Sequence, residues 1–365
     1  MTVEKKIIDA VAVIANENRY HPVCDFLNAL QWDGTERIRF CLHRFLGSDT
    51  DDYTYKALKL FLLGAISRAF KPGCKFEVML CLVGGQGAGK SSFFRLLAIN
   101  DDWFSDDLKK LDDENVYRKM QGHWIIEMSE MIATANAKSN EEIKSFLSRQ
   151  KETYKIPYET HPADRKRQCV FGGSSNTLDF LPLDRTGNRR FVPVMVYPER
   201  AEVHILADEQ ASREYINQMW AEAMEIYRSG NFRLRFSPAM NDYLKAHQKD
   251  FMPEDTKAGQ ILDYLERYSG SIVCSKQLYK EALGHDYDEP KQWELREIND
   301  IMNNAVTGWR AFSNPRYFPE PYRRQKGWER IRNDNEPDNS MDGFQEIPTE
   351  EMEQLGLPEE WLKQK

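Results

Sequence analysis

The residues with the plainest chemical meaning are Gly84-x-x-x-x-Gly89-Lys90-Ser91, which follow the strand-forming run Phe76 to Val83. Glycines at this spacing let successive backbone N–H groups turn inward around a phosphate, and a helix beginning at the end of the loop presents its positive dipole end to the same anion. Gly84, Gly85, Gln86, Gly87, Ala88, Gly89, Lys90, Ser91 and Ser92 are therefore the expected cradle for the phosphates of ATP. Lys90 is expected to reach the β- and γ-phosphates, and Ser91 to ligate Mg²⁺.

A triphosphatase also needs a carboxylate near the metal and a group that holds the attacking water. Gly122 to Glu127 reads as a second short strand, adjacent to the first and ending in an acid; this assigns Glu127 to the metal and Glu130, three residues on, to the water. In many such ATPases the water-activating acid immediately follows the first, a slot filled here by Met128. A third strand, Gln168 to Asn176, ends in a polar cluster whose last amide, Asn176, suits the same water. Arg189 and Arg190 then precede another strand-like run, Phe191 to Val194. Adjacent arginines in that place suit an arginine finger, which oligomeric motors take from a neighbouring subunit, and either residue fits.

Between the second and third strands, Lys151, Lys155, Arg165, Lys166 and Arg167 interleave with Tyr154 and Tyr158 around a turn at His161-Pro162. Cations for phosphates and aromatic faces for bases are what single-strand contact requires. A solvated hairpin has the same composition, so the residues alone leave both readings open.

These groups need a scaffold. Leu58, Phe61, Leu62, Ala65, Ile66 and Ala69 recur at helical spacing ahead of the stop Pro72-Gly73, and Ile143, Phe146 and Leu147 mark a helix over Asn140 to Arg149. An earlier helix is expected over Ile7 to Ala15, and the glycine loop should open one running from Ser92 to Leu97. Glu209 to Ser229 forms a long amphipathic helix closed by Gly230, and Ser237-Pro238 starts the next. Apolar strands alternating with helices predict an α/β fold with a central, mostly parallel sheet.

Composition narrows the classes. No run approaches the roughly 18 apolar residues of a membrane span and Thr2 to Lys6 lacks a signal-peptide core, so no membrane and a cytoplasmic location are expected. Six cysteines without a C-x-x-C pair read as reduced, buried thiols. The net charge of −8 argues against a nucleic-acid partner only weakly, because Asp334 to Glu360 holds ten acids and no Lys or Arg.

The ordered set of glycine loop, Trp124-Ile-Ile-Glu-x-x-Glu130, Lys144-x-Phe-Leu-Ser-Arg149, Arg167-Gln-Cys-Val-Phe-x-Gly-x-x-Asn176 and Thr186-Gly-Asn-Arg-Arg-Phe191 resembles the virulence-associated protein E family over roughly residues 18 to 230. His21-Pro22, Trp32-Asp33-Gly34 and Pro72-Gly73 belong to the match. That family is found on phages, prophages and pathogenicity islands and is similar to superfamily 3 helicases within the AAA+ ATPases. The resemblance implies Lys90 and Ser91 as Walker A, Glu127 with Glu130 as Walker B, Asn176 as sensor 1 and Arg189 or Arg190 as the finger. It also implies that residues 151–167 project into a ring channel and grip DNA, with Lys144 and Arg149 as secondary contacts. Related mobile-element proteins often carry a primase domain ahead of the ATPase. The roughly 70 residues available here are too few for one, so a separate primase is expected.

In the last third, helical stretches at about 257–268, 275–283 and 290–305 precede strands around Gly308-Trp-Arg-Ala-Phe312 and Gly327-Trp-Glu-Arg-Ile331. This reads as a winged-helix-like module whose wing carries Arg316, Arg323, Arg324 and Lys326 with Tyr317, Phe318 and Tyr322. The expected division is a helical region over 1–72, a P-loop AAA+ core over 73–250, the winged module over 251–332 and an acidic, largely disordered tail over 333–365. The function expected is an ATP-dependent, ring-forming helicase of a phage or mobile element, a homo-hexamer acting on single-stranded or forked DNA. Two alternatives share the same motifs: a nucleotide-gated replication initiator or helicase loader that does not unwind, and a small-molecule kinase that shares only the glycine loop.

Overall fold

The computed structural model describes residues 20–108, 116–129, 137–154, 163–183 and 188–331, with scattered positions between 7 and 18. The chain divides into two compact units, Met1–Asp255 and Thr256–Lys365.

The first unit runs through α1 (Pro22–Ala29), α2 (Ile38–Leu46), α3 (Asp52–Phe70), β1 (Met79–Val83), α4 (Lys90–Leu97), β2 (Phe104–Ser105), α5 (Val116–Met120), β3 (Ile125–Ser129) and α6 (Ala137–Ser148). It continues with β4 (Lys151–Tyr154), β5 (Ala163–Lys166), β6 (Val170–Ser175), β7 (Phe191–Met195), α7 (Glu209–Ser229) and α8 (Pro238–His247). Five strands form one sheet in the order β2-β3-β6-β1-β7, with every pairing parallel. All of β1 and β6 is buried, as a parallel strand covered on both faces must be.

Alternation along the strands sorts side chains into two cores. Leu80, Leu82, Ile125, Val170, Val192 and Val194 face a layer drawn from α1, α2, α3, α4 and α7. Met79, Cys81, Ile126, Met128, Phe171 and Phe191 face the other way, onto Val116, Ile143, Phe146 and Leu147 of α5 and α6. Where the sequence suggests a boundary at residue 72, the helices from Pro22 to Phe70 share the first core with the sheet. One long-range cap joins that layer: α2 has no capping side chain of its own, and Glu222 of α7 accepts the N–H groups of Arg37 (2.6 Å) and Ile38 (2.9 Å) instead.

Two sequence expectations change. The strand bearing Glu127 is not adjacent to β1, because β6 lies between them. Nor does it end at the acid: β3 runs on to Ser129, with Glu127 opposite Gly172. A short apolar strand carries no mark of its neighbour, and the helix and hairpin between β3 and β6 give the chain enough length to return beside β1.

The second unit comprises α9 (Thr256–Arg267), β8 (Ile272–Cys274), α10 (Ser275–Gln277) running into a π-helical turn at Leu278–Ala282, α11 (Gln292–Asn304), β9 (Trp309–Ala311), β10 (Arg316–Phe318), β11 (Arg323–Gln325) and β12 (Gly327–Arg330). Its antiparallel sheet has the order β8-β12-β9, and β10 pairs with β11 as a separate hairpin. Ile261, Leu265, Val273, Leu278, Ile298, Ile301 and Trp328 form its core. Phe318, expected on the wing, is instead buried with Cys274 and Phe312, and Arg316 pairs with Glu329 at 2.7 Å. Tyr317 of the same hairpin is exposed. No described helix is long and apolar enough to cross a membrane. All six cysteines are free thiols.

Candidate active site

The glycine loop leaves β1 and ends at α4, whose cap position is Gly89. Gly87 and Gly89 have φ of +79° and +78°, a left-handed geometry that side-chain-bearing residues resist, and such residues in a turn direct neighbouring N–H groups into one concavity. The loop from Gln86 to Ser92 lines a cavity of about 400 Å³ together with Ser129, Ser174, Asn176 and His204.

Beneath the cavity the side chains form a connected set. Lys90 Nζ donates to the carbonyls of Gly84 and Gly85, both at 2.7 Å, and to Asn176 Oδ1 at 3.0 Å. Burial pushes the Lys90 ammonium below the usual lysine range, against the pull of the Glu127 carboxylate. Ser91 Oγ donates to Glu127 Oε1 at 2.8 Å, and Ser174 Oγ donates to the same oxygen at 2.5 Å. Glu127 is 0 % exposed, and its second oxygen, Oε2, is buried with no hydrogen-bond partner. A buried carboxylate oxygen left unpaired beside a serine hydroxyl fits a hard divalent cation, which takes oxygen ligands. No group of three or more His, Cys, Asp or Glu that could hold a metal by itself exists among the described residues.

The inserted strand explains this convergence. With β6 between β1 and β3, its polar end lies beside both the loop and Glu127, so Ser174 meets the acid and Asn176 meets Lys90. Ser174 and His204 are the groups that the sequence reading passes over. The signal for Ser174 lay in its place two residues before Asn176, whereas His204 carries no motif.

Other expected site residues lie elsewhere. Arg189 and Arg190 precede β7 at the opposite end of the sheet, where the Arg190 carbonyl accepts the Met79 N–H at 2.7 Å. A five-residue strand, about 16 Å, separates them from the loop of their own chain. Arg190 is 20 % exposed and lies against Ser148 Oγ (2.9 Å) and Glu77 (3.4 Å), while Arg189 is 68 % exposed and touches Glu77 at 3.1 Å. Burial opposes ionisation of Glu77, but the Ser148 hydroxyl and the two guanidiniums outweigh it and hold that carboxyl below its usual range. Glu130 lies outside the described residues.

The hairpin expected at 151–167 is present as β4 and β5, paired from Lys151↔Lys166 to Tyr154↔Ala163; Lys155 and the turn lie outside the described residues. Lys166 is exposed, and Lys151 is exposed but ion-paired with Asp164, whose carboxyl that lysine holds below its usual range. Arg165 and Lys166 line a second cavity, of about 680 Å³, with His21, Trp103, Tyr117 and His123. Arg167 does not belong to this surface. It is 3 % exposed, ion-paired with Glu152, bonded to the Phe146 carbonyl at 2.6 Å and set against the rings of both Phe146 and Phe171. The chain is already entering the core as it approaches β6, and the guanidinium goes in with it. Lys144 is buried as well, and Arg149 bonds the Tyr117 hydroxyl.

A family model for the virulence-associated protein E-like domain matches residues 27–253. No curated protein matches the chain. Among solved structures, the apo structure of the NrS-1 C-terminal region is similar with a TM-score of 0.48 and 14 % identity, covering 84 % of this chain and 78 % of that one. An A-form apo structure of the same region gives a TM-score of 0.46 at the same identity and coverage. With the family match spanning most of its length, the chain belongs to the virulence-associated protein E-like family.

Proposed function

We propose that the chain is an ATP-driven DNA motor of the superfamily 3, AAA+ type, assembled as a ring and serving replication of a phage or mobile element. The observation that carries this reading is the connected set under the glycine loop, Lys90 to Asn176 and Ser91 through Glu127 to Ser174. In it, Gly84 to Ser92 cradle the phosphates of ATP and Lys90 exchanges its loop carbonyls for the β- and γ-phosphates. Mg²⁺, held by Ser91 and Glu127, supplies charge neutralisation at the transferring phosphoryl group. Ser174 fixes the Glu127 carboxylate, and the Asn176 amide orients the attacking water.

Arg189 is the finger, offered to the site of the next protomer. Its exposure and its distance from the loop of its own chain support a contact across subunits, whereas Arg190 is held by Glu77 and Ser148. Lys166 and Arg165 on the hairpin, beside Trp103 and Tyr117, are the surface that grips a DNA strand. The second unit is a winged-helix-like module, a reading supported by its succession of helix, strand, two helices, strand, hairpin and strand.

Strand displacement on a forked duplex, measured beside ATP hydrolysis with and without single-stranded DNA, tests the motor. Displacement that Lys90→Ala abolishes is the expected result. Hydrolysis with no displacement and no stimulation by DNA would replace the motor with a nucleotide-gated initiator or loader.

A further inference from the structure

Lys90 Nζ bonds the start of the glycine loop, at Gly84 and Gly85, while a different side chain stands over its end. His204 Nε2 lies 3.9 Å from the position a Cβ on Gly89 would occupy, and the imidazole lines the same cavity as the loop. The ring is exposed, but its backbone is tied down on both sides. Val203 N–H donates to Arg44 O (3.2 Å), Ala207 N–H to His204 O (2.8 Å), and Ser212 Oγ to the carbonyl of Ile205, whose side chain is fully buried. His204 Nδ1 accepts the Leu206 N–H at 3.3 Å, so in the neutral ring the hydrogen sits on Nε2, the nitrogen that faces the loop. Leu206 lines the cavity next to it.

We propose that His204 binds the nucleoside end of the nucleotide, with Nε2–H donating to a ribose oxygen and Leu206 covering the sugar. The assignment rests on reading Gly84 to Ser92 as a triphosphate cradle. Lys90 marks the β- and γ-phosphate end, so a donor over Gly89 falls at the opposite end of the phosphate chain. A held imidazole donor at that place discriminates a nucleotide from bare polyphosphate, a distinction that the loop amides and Lys90 do not make.

Calorimetric titration of the full chain with Mg²⁺ and ATP, ADP or inorganic tripolyphosphate tests this. His204→Ala is expected to weaken ATP and ADP alike by roughly three- to tenfold, the worth of one hydrogen bond to a neutral oxygen, with tripolyphosphate binding and melting temperature unchanged. His204→Gln, which keeps an N–H at similar reach, recovers most of the loss, and Lys90→Ala weakens ATP and tripolyphosphate together. Unchanged ATP affinity in His204→Ala, or an equal loss for tripolyphosphate, overturns the assignment while the cradle stands. A wild-type chain that binds none of the three ligands overturns the cradle and, with it, this inference.

Discussion

Replacing Gly172 by alanine sets a methyl group against the underside of the helix that carries Lys90 and Ser91. A Cβ at Gly172 would stand 2.4, 2.5 and 2.7 Å from three ring atoms of Phe94 on α4, where ordinary contact begins at 3.4 Å. The ring has little room to retreat: Phe94 is 0 % exposed, with the rings of Phe61 and Phe93 at 6.1 and 6.0 Å between centroids. Overpacking of this kind costs about 2 kcal/mol, which lowers the melting temperature of a unit this size by ~4–8 °C. The helix must shift to accommodate the methyl, so ATP affinity is expected to fall as well. Phe94→Leu removes the colliding ring edge and by itself costs roughly 1–2 kcal/mol through the space it leaves. In the double variant the two losses should fail to add, with a coupling of about 1–2 kcal/mol in favour of the pair. Urea unfolding of the four proteins at constant m-value measures the cycle. Additive losses, or a Gly172→Ala variant as stable as wild type, would refute the packing argument.

Glu222→Ala strands one buried and one part-buried N–H donor at the start of α2 and should cost about 2–4 kcal/mol in chemical unfolding. Burial raises the Glu222 carboxyl above its ordinary value, so its contribution is fully present below the unfolded carboxylate range and declines as pH rises through the folded value. Glu222→Gln, which accepts the same two N–H groups without a charge, is therefore expected to gain on wild type between pH 4 and pH 7; a constant difference in melts across that range would count against this. Lys166→Ala should weaken single-stranded DNA binding and reduce its salt dependence without changing stability, whereas Arg167→Ala should destabilise the fold by about 3 kcal/mol by leaving Glu152 buried with only the longer ion pair to Arg149, at 3.7 Å. Equal stability of the two variants in thermal melts would contradict the burial of Arg167. Asn176→Ala is expected to slow steady-state ATP hydrolysis about a hundredfold while leaving ATP affinity within about threefold. Mixing Lys90→Ala with Arg189→Ala protomers should restore part of the ATPase activity lost in each alone; no recovery at any ratio would place the finger elsewhere.

The glycine loop, the strands around it and the long helices were legible because each has a local signature. Glycine spacing marks the loop, and Glu209–Ser229 follows from helical periodicity and a terminal glycine. What escaped was non-local. Nothing in the residues of β3 tells that β6 intervenes before β1, and so the meeting of Ser174 with Glu127 could not be read from either strand alone. Arg167 counted as a surface cation because its neighbours Arg165 and Lys166 are charged; its partners Glu152 and Phe146 lie 15 and 21 positions away. Glu222 gave no sign of capping a helix 184 residues earlier, because a carboxylate on an amphipathic helix normally belongs to its solvent face.

The strand order also sets a timetable for synthesis. β1, with the glycine loop at its end, takes its two neighbours from residues that follow it by roughly 90 and 110 positions. A ribosome producing this chain therefore releases a wholly apolar strand with both edges unpaired, and it must add all of β6 and β7 before those edges close. The closing of long loops makes this sheet a late event of folding, whereas α1, α2 and α3 are complete before β1 emerges and offer it a first apolar surface. Nascent chains halted short of Phe191 would keep β1 as an open edge, the state in which a holdase chaperone has the most to bind.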